Sequence, residues 1–390
     1  MYKILTFNQI AVKGLNEFER EHYEVASEIG HPDAIMLRSH KLAESEIFES
    51  VRAVARAGAG VNNVPVNHCT ERGIPVFNAP GANANAVKEL VAAALLLCSR
   101  GILQGNAFVN GQSADMPADE MSKLMEAEKK RFKGSELKGK VLGVVGLGAI
   151  GSRVANLGLS LDMDVIGYDP AISVEAAWQL SSSVRRMENL TSLLARADYI
   201  SLHLPAIEAT RNLINRESGA SIKEGACLLN FAREEIVETD AIVDLLARNK
   251  IRTFISDFPH PKLIGLPGAV LMPHIGASTD EAEENCAVMA AQQLKSFLED
   301  GNIRNSVNFP TLELERQEGW RLCISNRNVP KMLGNILSIL ADRDINVIDM
   351  LNKSRDDIAY NLIDIGSQPD EDMINQMAAV DGVINVRVLG

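Results

Sequence analysis

A glycine-rich segment of the chain has the spacing of a dinucleotide-binding turn. Three glycines form the pattern G-x-G-x-x-G: Gly146, Gly148 and Gly151. The apolar stretch 141–145 precedes them, and the next apolar stretch ends at Asp169, roughly 20 residues further on. Backbone N–H groups at the start of the following helix can bind a pyrophosphate, and the Asp169 carboxylate can accept both ribose hydroxyls. Because that carboxylate would repel a 2′-phosphate, the segment predicts a site for NAD rather than NADP.

Two later side chains could bind and deprotonate a 2-hydroxy acid beside a nicotinamide ring. Arg233 follows the apolar stretch 226–230, and its guanidinium can hold a carboxylate through two parallel hydrogen bonds. His274 lies in the segment P-H-I-G and carries the one side chain whose unperturbed pKa suits proton transfer near neutral pH. His203, after the apolar stretch 199–202, is expected to line the same crevice, and a packing role explains it nearly as well.

Parallel α/β elements are needed to bring these segments together. Short apolar stretches bounded by polar residues or glycine alternate with helical patterns along the chain. One buried helix is expected at 86–100. The expected strands are 2–6, 34–37, 53–55, 74–78, 141–145, 164–168, 199–202, 226–230 and 253–256. This alternation predicts two α/β domains with parallel sheets. Ligands of such sheets lie at the carboxyl ends of the strands, where Arg233 and His274 are expected to converge.

The remaining segments differ in composition from these two series. Residues 110–140 are polar and contain a basic run, which predicts a surface excursion with a charged helix. Its bases form a solvated face or, alternatively, attract a phosphorylated substrate or a partner subunit. Residues 311–318 are short, polar and acidic, as in a linker, and 319–390 have the βαββαβ order of a ferredoxin-like domain. The expected domains are 1–93 with 278–310, then 94–277, and then 319–390.

Composition and charge exclude several classes of protein. The chain has 390 residues, is 46% hydrophobic and 23% charged, and carries a net charge of −12. These values favour a globular protein, and they argue against one that coats nucleic acid or binds membranes through a polybasic surface. The five cysteines have no metal-ligand spacing, so no metal site is expected and the thiols are expected to be reduced. No signal peptide or membrane-spanning stretch is visible, which favours a cytoplasmic protein.

Together these motifs resemble the D-isomer-specific 2-hydroxyacid dehydrogenase family over nearly the whole chain. Besides the glycine-rich segment, the resemblance rests on four segments: 58–62 (GAGVN), 73–81 (GIPVFNAPG), 230–233 (NFAR) and 273–276 (PHIG). Within the family, the chain is most similar to members that oxidise 3-phospho-D-glycerate and carry a C-terminal ACT domain. The resemblance implies an α/β fold with a Rossmann-type NAD-binding domain, a discontinuous flavodoxin-like substrate-binding domain and a ferredoxin-like ACT domain.

The resemblance also implies roles for individual residues. Arg233 would bind the carboxylate and carbonyl of the substrate, and His274 would be the general acid–base. Residues of several segments would bind the cofactor: Gly146, Gly148, Ala149, Ile150, Gly151, Asp169, His203, Pro205, Ala232, Asp257 and Gly276. Among them, Asp257 is expected to contact the nicotinamide carboxamide. Residues of the first domain would bind the substrate: Arg38, Ser39, Ala59, Gly60 and Asn83.

Two positions near the catalytic residues depart from the family pattern. Glu234 stands where the family has a glycine, and a positive φ there would be costly for glutamate. The family's third catalytic residue is a glutamate shortly after the strand that ends near Asp257, but residues 258–262 (FPHPK) contain no acid. The carboxylate that would orient the His274 imidazole is therefore unassigned, and Glu234 is the candidate substitute.

The ACT resemblance implies an amino-acid effector, such as L-serine, at an interface between domains. Three amide side chains stand at the effector positions: Asn326, Asn328 and Asn346. Lys331 replaces a family glycine, and a subunit-docking module without a ligand is the alternative. A lone βαββαβ unit leaves one sheet face and one edge uncovered, and the linker 311–318 is expected to hold the domain away from the catalytic body. We therefore expect a homodimer or homotetramer in which ACT domains pair.

The activity that the resemblance implies is NAD-dependent oxidation of 3-phospho-D-glycerate to 3-phosphohydroxypyruvate, the first step of phosphorylated L-serine synthesis. One alternative is a dehydrogenase or reductase of another 2-hydroxy acid, such as glyoxylate, hydroxypyruvate or 2-oxoglutarate, which would differ only in the pocket around Arg38. A second alternative is a non-catalytic NAD-sensing protein built on the same fold. The presence of both Arg233 and His274, together with the lack of basic DNA-reading elements, argues for an enzyme.

Overall fold

The computed structural model describes residues 1–390, except for the side chain of Glu175. The chain divides into two units, Met1–Asn83 with Asp280–Gly390, and Ala84–Thr279. The boundary expected after residue 93 falls inside a helix that spans Ala84–Ser99, and all of this helix belongs to the second unit.

A five-stranded parallel sheet forms the N-terminal part of the first unit. Its elements are β1 (Tyr2–Phe7), α1 (Val12–Leu15), β2 (Tyr23–Ala26), β3 (Ala34–Leu37), β4 (Ala53–Arg56), α2 (Val66–Glu71) and β5 (Val76–Phe77). The strand order is β2-β1-β3-β4-β5, which confirms the flavodoxin-like prediction. All four residues of β3 are buried, so its sequence AIML shows no polar alternation. Arg38 follows β3 directly, beside β1, where the strand order reverses.

A seven-stranded parallel sheet forms the second unit. Its elements are α3 (Ala84–Ser99), α4 (Ile102–Asn110), α5 (Ala118–Glu128), β6 (Val141–Val145), α6 (Gly151–Ser160), β7 (Asp164–Tyr168), α7 (Val174–Gln179), β8 (Arg185–Arg186), α8 (Leu190–Arg196), β9 (Tyr199–Leu202), α9 (Arg216–Ala220), β10 (Ala226–Asn230), α10 (Thr239–Ala247), β11 (Ile251–Ser256) and β12 (Ala269–Leu271). The order β12-β11-β10-β9-β6-β7-β8 is that of a Rossmann sheet, which confirms the second α/β prediction. Strands β9, β10 and β11 are neighbours, so the segments that follow them leave the same edge of the sheet.

Helices α4 and α5 make up the polar excursion of the second unit. Neither helix has a buried residue, and a 3₁₀ turn at Lys129–Phe132 carries the basic run. Two of these bases pair with acids on the same segment, Lys129 with Glu126 and Arg131 with Glu128. The basic run is therefore an exposed face that its own segment neutralises in part.

The chain then returns to the first unit through α11 (Asp280–Asp300). The C-terminal elements are β13 (Trp320–Arg327), α12 (Met332–Ala341), β14 (Val347–Arg355), β15 (Ile358–Ile365), α13 (Glu371–Ala378) and β16 (Val383–Leu389). Their antiparallel order β14-β15-β13-β16 is the predicted ferredoxin-like arrangement. Helix α11 buries Ala287, Ala290 and Leu294 against residues of the first sheet such as Met36.

The C-terminal sheet is packed on both faces within its own unit. One face contributes Leu322, Ile324 and Ile363 to a core with α12 and α13. The opposite face contributes Cys323, Tyr360 and Leu362 to the core that also contains Phe297 and Phe309. The face for which a second subunit was expected is thus covered by the chain itself. The strands β14 and β16 remain the edges of this sheet.

The prediction that residues 311–318 hold the C-terminal domain away from the rest is wrong. Leu312 and Leu314 are buried, and Leu312 forms a β-bridge with Ile303. These leucines alternate with polar residues in the sequence TLELE, so a period-two apolar face lies within a segment of acidic composition. The segment is therefore part of the core of the first unit.

Arg321 fixes this segment to the C-terminal sheet. Its side chain is fully buried and makes two bonds to Asp364, at 2.6 and 2.7 Å. It also donates to the carbonyl oxygens of Asp300, Leu314 and Glu315. These bonds use all five N–H donors of the guanidinium.

Replacing Arg321 by methionine is expected to lower the free energy of unfolding by about 3–5 kcal/mol, because Asp364 would become a buried charge without a partner. The double replacement Arg321→Met with Asp364→Leu should recover part of that loss, since it removes both charges. Urea unfolding followed by tryptophan fluorescence measures both variants. Equal destabilisation of the single and double variants would show that the charge pair is not the source of the effect.

Candidate active site

The glycine-rich turn joins β6 to α6, as its spacing predicts. Gly146 has a φ of +88°, and a Cβ there would lie 2.4 Å from the carbonyl oxygen of His203. A Cβ at Gly151 would lie 1.9 Å from the Gly146 carbonyl oxygen, so neither position admits a side chain. A Cβ at Gly148 would meet nothing within 4 Å. The turn therefore presents open backbone at the N-terminus of α6, which suits a pyrophosphate.

Asp169, after β7, is held by the backbone of this turn and of its own loop. Its Oδ2 accepts a hydrogen bond from the Leu147 N–H at 2.8 Å, and its Oδ1 accepts one from the Ala171 N–H at 2.9 Å. Each carboxylate oxygen keeps a lone pair for a ribose hydroxyl. On the turn itself, Ala149 is exposed and Ile150 is half-buried. The residues present therefore fit a dinucleotide with a free ribose 2′-hydroxyl.

Replacing Asp169 by alanine is expected to narrow the preference for NAD over NADP by about 10–100-fold, because it removes the repulsion of a 2′-phosphate. Values of kcat/KM for the two cofactors measure this preference. Asp164→Ala, at the exposed start of β7, is the matched control and should leave it unchanged. Equal use of NAD and NADP by the unaltered protein would contradict the ribose assignment.

His203 follows β9, and Ser201 holds its imidazole. The Ser201 hydroxyl lies 2.8 Å from His203 Nε2, whereas Nδ1 is enclosed and has no hydrogen-bond partner among the described residues. Burial lowers the pKa of His203 to about 3, so its ring is neutral and weakly basic at physiological pH. Two residues later, Pro205 is exposed. A place beside the cofactor turn therefore suits His203 better than proton transfer does.

Arg233 follows β10 in a loop that Asn230 holds in place. Asn230 is fully buried; its Oδ1 accepts from the Ala232 N–H at 3.1 Å, and its Nδ2 donates to the Arg233 carbonyl at 2.9 Å. Ala232 is also buried, whereas the Arg233 side chain is exposed and donates from Nη1 to the Ala232 carbonyl. Among the described side chains, no carboxylate lies within 4.0 Å of the Arg233 guanidinium. Its remaining donors can therefore bind an anionic substrate.

The loop that carries His274 is held by Asp257, at the end of β11. Asp257 is 3% exposed, and its two oxygens accept from the N–H groups of Ile275 and Gly276, each at 2.7 Å. A Cβ at Gly276 would lie 2.8 Å from Asp257 Oδ2, so this close approach needs glycine. His274 has a φ of +58°, a costly conformation for a residue with a side chain. Asp257 thus holds the backbone beside this strained residue. This role differs from the predicted one, a contact with the nicotinamide carboxamide.

The His274 ring is exposed and packs against Phe258. The two ring centroids are 4.8 Å apart with an interplanar angle of 59°. No carboxylate among the described side chains lies within hydrogen-bonding or ion-pair distance of His274, and Glu234 is exposed on its own 3₁₀ turn. The expectation of strain at Glu234 is wrong, because its φ is not positive. His274 is therefore positioned by the Phe258 ring and by the bonds of Asp257 to the loop backbone. In the family pattern, a carboxylate has this role.

Four of the predicted substrate residues follow the carboxyl ends of β3 and β4, and the fifth, Asn83, directly precedes α3. Ser39 donates its backbone N–H to Asn8 Oδ1 at 3.1 Å, which fixes the loop after β3. The Arg38 guanidinium forms an ion pair with Glu283 of α11. The backbone carbonyl of Arg38 accepts a hydrogen bond from Arg56 Nε at 3.0 Å. The cation expected to bind a phosphate thus already has an acidic partner.

The GAGVN loop after β4 is held by side chains on both sides. Arg56 Nη1 donates to the Gly60 carbonyl at 2.7 Å, and Asn78 Nδ2 donates to the Ala59 carbonyl at 2.6 Å. Asn83 is half-buried, and its Oδ1 is enclosed without a hydrogen-bond partner among the described residues. Arg56 and Asn78 were not predicted as site residues, because their roles depend on contacts to backbone atoms.

The three predicted effector residues have different surroundings. Asn326 is 2% exposed; it donates to the Arg327 carbonyl at 2.7 Å and accepts from Asn361 Nδ2 at 2.7 Å. Asn328 donates to the Asp356 carbonyl, and Asn346 is exposed. A ligand at Asn326 would have to displace bonds within the sheet. No effector role is supported for these amides by their contacts.

The described residues contain neither a metal-ligand cluster nor a membrane-spanning helix. In the part of the chain that the structure describes, no three His, Cys, Asp or Glu side chains are grouped so as to hold a metal ion. Within the same residues, no helix combines the length and apolar character needed to cross a bilayer. All five cysteines are free thiols.

Comparison with known proteins connects this geometry with one family. The model of the family "D-isomer specific 2-hydroxyacid dehydrogenase, NAD binding domain" matches residues 92–276. D-3-phosphoglycerate dehydrogenase of Haemophilus influenzae is 33% identical over 371 residues, which cover 91% of this chain and 86% of that protein. The enzyme of the same name from Methanocaldococcus jannaschii is 34% identical over 337 residues, or 84% of this chain. The chain spans only 61% of the length of that second relative.

A solved structure shows the same similarity in three dimensions. The NAD⁺-bound 3-phosphoglycerate dehydrogenase of Entamoeba histolytica aligns with a TM-score of 0.60 and 26% identity. The alignment covers 80% of this chain and 99% of that one. The similarity therefore extends well beyond the glycine-rich turn.

Proposed function

The chain belongs to the D-isomer specific 2-hydroxyacid dehydrogenase family and is an NAD-dependent dehydrogenase, and from this premise we propose that its substrate is 3-phospho-D-glycerate. The product would be 3-phosphohydroxypyruvate, and the reaction would be the first step of the phosphorylated route to L-serine. The observation that carries this proposal is the match to the Haemophilus influenzae D-3-phosphoglycerate dehydrogenase over 91% of the chain.

Two side chains of the second unit would act directly on the substrate. When bound, NAD supplies a hydride acceptor at its nicotinamide ring. The guanidinium of Arg233, which has no acidic partner among the described side chains, would bind the substrate carboxylate. The neutral imidazole of His274 would accept the C2 hydroxyl proton as the hydride leaves C2. Reduction would use the same groups, with the imidazolium returning the proton.

Two buried side chains would position this pair. Asn230 holds the backbone of the Arg233 loop, and Asp257 holds that of the His274 loop. Both are buried at the ends of adjacent strands, so the rigid sheet fixes the loops that carry the reacting groups. This arrangement suits a catalyst, because it orients both groups before the substrate binds.

A different 2-hydroxy acid is the second candidate substrate, and one contact favours it. The Arg38–Glu283 ion pair neutralises the cation that was predicted to bind the substrate phosphate. A site with a neutralised cation would suit an acid without a phosphate, such as 2-hydroxyglutarate. The exposure of this pair, 41% for Arg38 and 36% for Glu283, leaves it easy to exchange for another partner.

Replacing Glu283 by glutamine distinguishes these substrates. If Arg38 binds the phosphate, loss of its ion pair with Glu283 should lower KM for 3-phospho-D-glycerate by up to about fivefold. KM for D-glycerate should not change. Arg38→Ala should lower kcat/KM for phosphoglycerate selectively. Glu284→Gln, which removes the neighbouring pair with Lys13, is the matched control. Equal losses on phosphoglycerate and glycerate in Arg38→Ala would contradict the phosphate role.

A further inference from the structure

A cavity of about 360 Å³ lies against the C-terminal sheet beside its edge strand β16, and Ile374 of α13 is among the residues that line it. Arg52, which precedes β4, and Gly73, which precedes β5, line one side of it. The rest of the wall comes from Phe297 of α11, Tyr360 of β15, and residues of β13, β16 and α13. Its volume lies within the range of small-molecule sites. The cavity is at the amino ends of β4 and β5, whereas the predicted substrate residues Ala59 and Gly60 follow the carboxyl end of β4.

Polar groups line this cavity because of the strand register. Cys323 of β13 is paired with Arg387 of β16, and Ser325 is paired with Asn385. Alternate residues of a strand share a face, so these four side chains point away from the helices together. All four line the cavity.

Arg387 is a cation without an anionic partner among the described residues. Its guanidinium carbon lies 4.2 Å from the centroid of the Phe297 ring, and Nη2 donates to the Phe297 carbonyl. Nη1 is enclosed and has no hydrogen-bond partner among the described residues. No described carboxylate lies within 4.0 Å of the guanidinium. An enclosed cationic nitrogen without a partner is costly, so an anion at this point would be stabilising.

Ser325 supplies a second unpartnered group on the same face. It is 2% exposed, and its hydroxyl has no hydrogen-bond partner among the described residues. Arg321, on the same face of the same strand, has every donor satisfied. Arg321, which does not line the cavity, is thus fully satisfied, whereas Ser325 Oγ and Arg387 Nη1 line the cavity and have no partner among the described residues.

We propose that this cavity binds a small oxyanion, a carboxylate or a phosphate, which accepts hydrogen bonds from Arg387 Nη1 and Ser325 Oγ. A guanidinium and a hydroxyl are suited to both kinds of oxyanion. The ligand would bridge the C-terminal sheet and the amino ends of the first sheet, and it would stabilise their packing by mass action. This site involves none of the residues proposed for catalysis.

Thermal unfolding of the full-length protein at constant ionic strength tests the site. Inorganic phosphate, acetate and L-serine are titrated separately, with chloride as the reference anion. At least one of the three oxyanions should raise Tm saturably, and the responding probe identifies the phosphate or carboxylate source. If none raises Tm above the chloride reference, the proposal is overturned.

Three variants locate the binding. Ser325→Ala, a small change that should preserve the fold, is expected to weaken the apparent affinity about 10-fold or more, and Arg387→Gln about 100-fold. Arg343→Gln, which removes a half-buried arginine that pairs with Asp372, is the control of equal charge and should bind normally. Unaltered affinity in both Ser325→Ala and Arg387→Gln would overturn the proposal.

Binding at the catalytic residues must be separated from binding at this cavity. In Arg233→Ala the Tm response should persist, because Arg233 belongs to the other unit and does not line the cavity. If the response disappears in Arg233→Ala but survives in Ser325→Ala, the anion binds at the candidate active site and the cavity proposal fails. That outcome would leave the proposed dehydrogenase function intact.

Discussion

Replacing His274 by alanine is expected to lower kcat by about 10²–10⁴, the usual contribution of a positioned acid–base group. Affinity for NAD should change little, because the glycine-rich turn and Asp169 are held by their own backbone contacts. Steady-state turnover gives kcat, and quenching of protein fluorescence by NADH gives cofactor affinity. The large effect is expected although no described carboxylate contacts the His274 ring, since Asp257 holds the backbone beside it and Phe258 packs against it.

His260→Ala is the matched control for that variant. His260 lies in the same unit and is half-buried, and its Nδ1 accepts a hydrogen bond from the Lys262 N–H at the start of a 3₁₀ turn. Its removal should leave kcat within about twofold, because no role in proton transfer is proposed for it. Near-normal turnover of His274→Ala would move proton transfer to another group. His203 would be a poor replacement, because burial lowers its pKa to about 3.

Replacing Arg233 by alanine is expected to lower kcat/KM by about 10²–10⁴. Hydrogen bonds to charged groups contribute about 1.5–3 kcal/mol each, and a bidentate pair loses two of them. Arg233→Lys should recover only part of the loss, because an ammonium keeps the charge without the planar fork. Initial rates at low substrate concentration measure kcat/KM directly.

Arg216→Ala provides the control for the loss of one positive charge in the same unit. Arg216 begins α9 and is exposed, and no role in substrate binding is proposed for it. This variant should retain kcat/KM within about twofold. If Arg233→Ala behaves like Arg216→Ala, another cation binds the substrate carboxylate.

The secondary structure could be predicted where apolar runs are long and are bounded by polar residues or glycine. The strand 34–37 and the order of elements from Trp320 to Leu389 follow directly from such runs. Three strands escaped prediction: β2, β8 and β12. All three lie at sheet edges, and β8 consists of two exposed arginines, so the sequence offers no apolar signal for it.

The reacting side chains could be predicted, but the groups that hold them could not. Asn230 and Asp257 act on backbone N–H and carbonyl groups, which leave no trace in the residue pattern. The Arg38–Glu283 pair joins residues that are 245 positions apart, so it depends on the return of α11 to the first sheet. Such contacts are decided by tertiary packing, which local composition does not encode.

The packing of the C-terminal domain against the rest of its unit could not be predicted for a related reason. The acidic character of residues 311–318 suggested a solvated spacer, yet Leu312 and Leu314 are buried. Arg321 is buried near them, and its guanidinium forms an ion pair with Asp364, which lies on a strand that is distant in the sequence. A buried arginine cannot be predicted from the sequence, because the pairing of the strands, which brings its carboxylate partner close, is not known at that stage.

The most direct test of the proposed activity is the rate of NADH formation by the full-length protein with a panel of 2-hydroxy acids. The panel contains 3-phospho-D-glycerate, D-glycerate, glycolate and D-2-hydroxyglutarate, each with saturating NAD. We predict that kcat/KM is highest for 3-phospho-D-glycerate and that Arg38→Ala reduces this advantage over D-glycerate. A higher kcat/KM for one of the acids without a phosphate would contradict the proposed substrate.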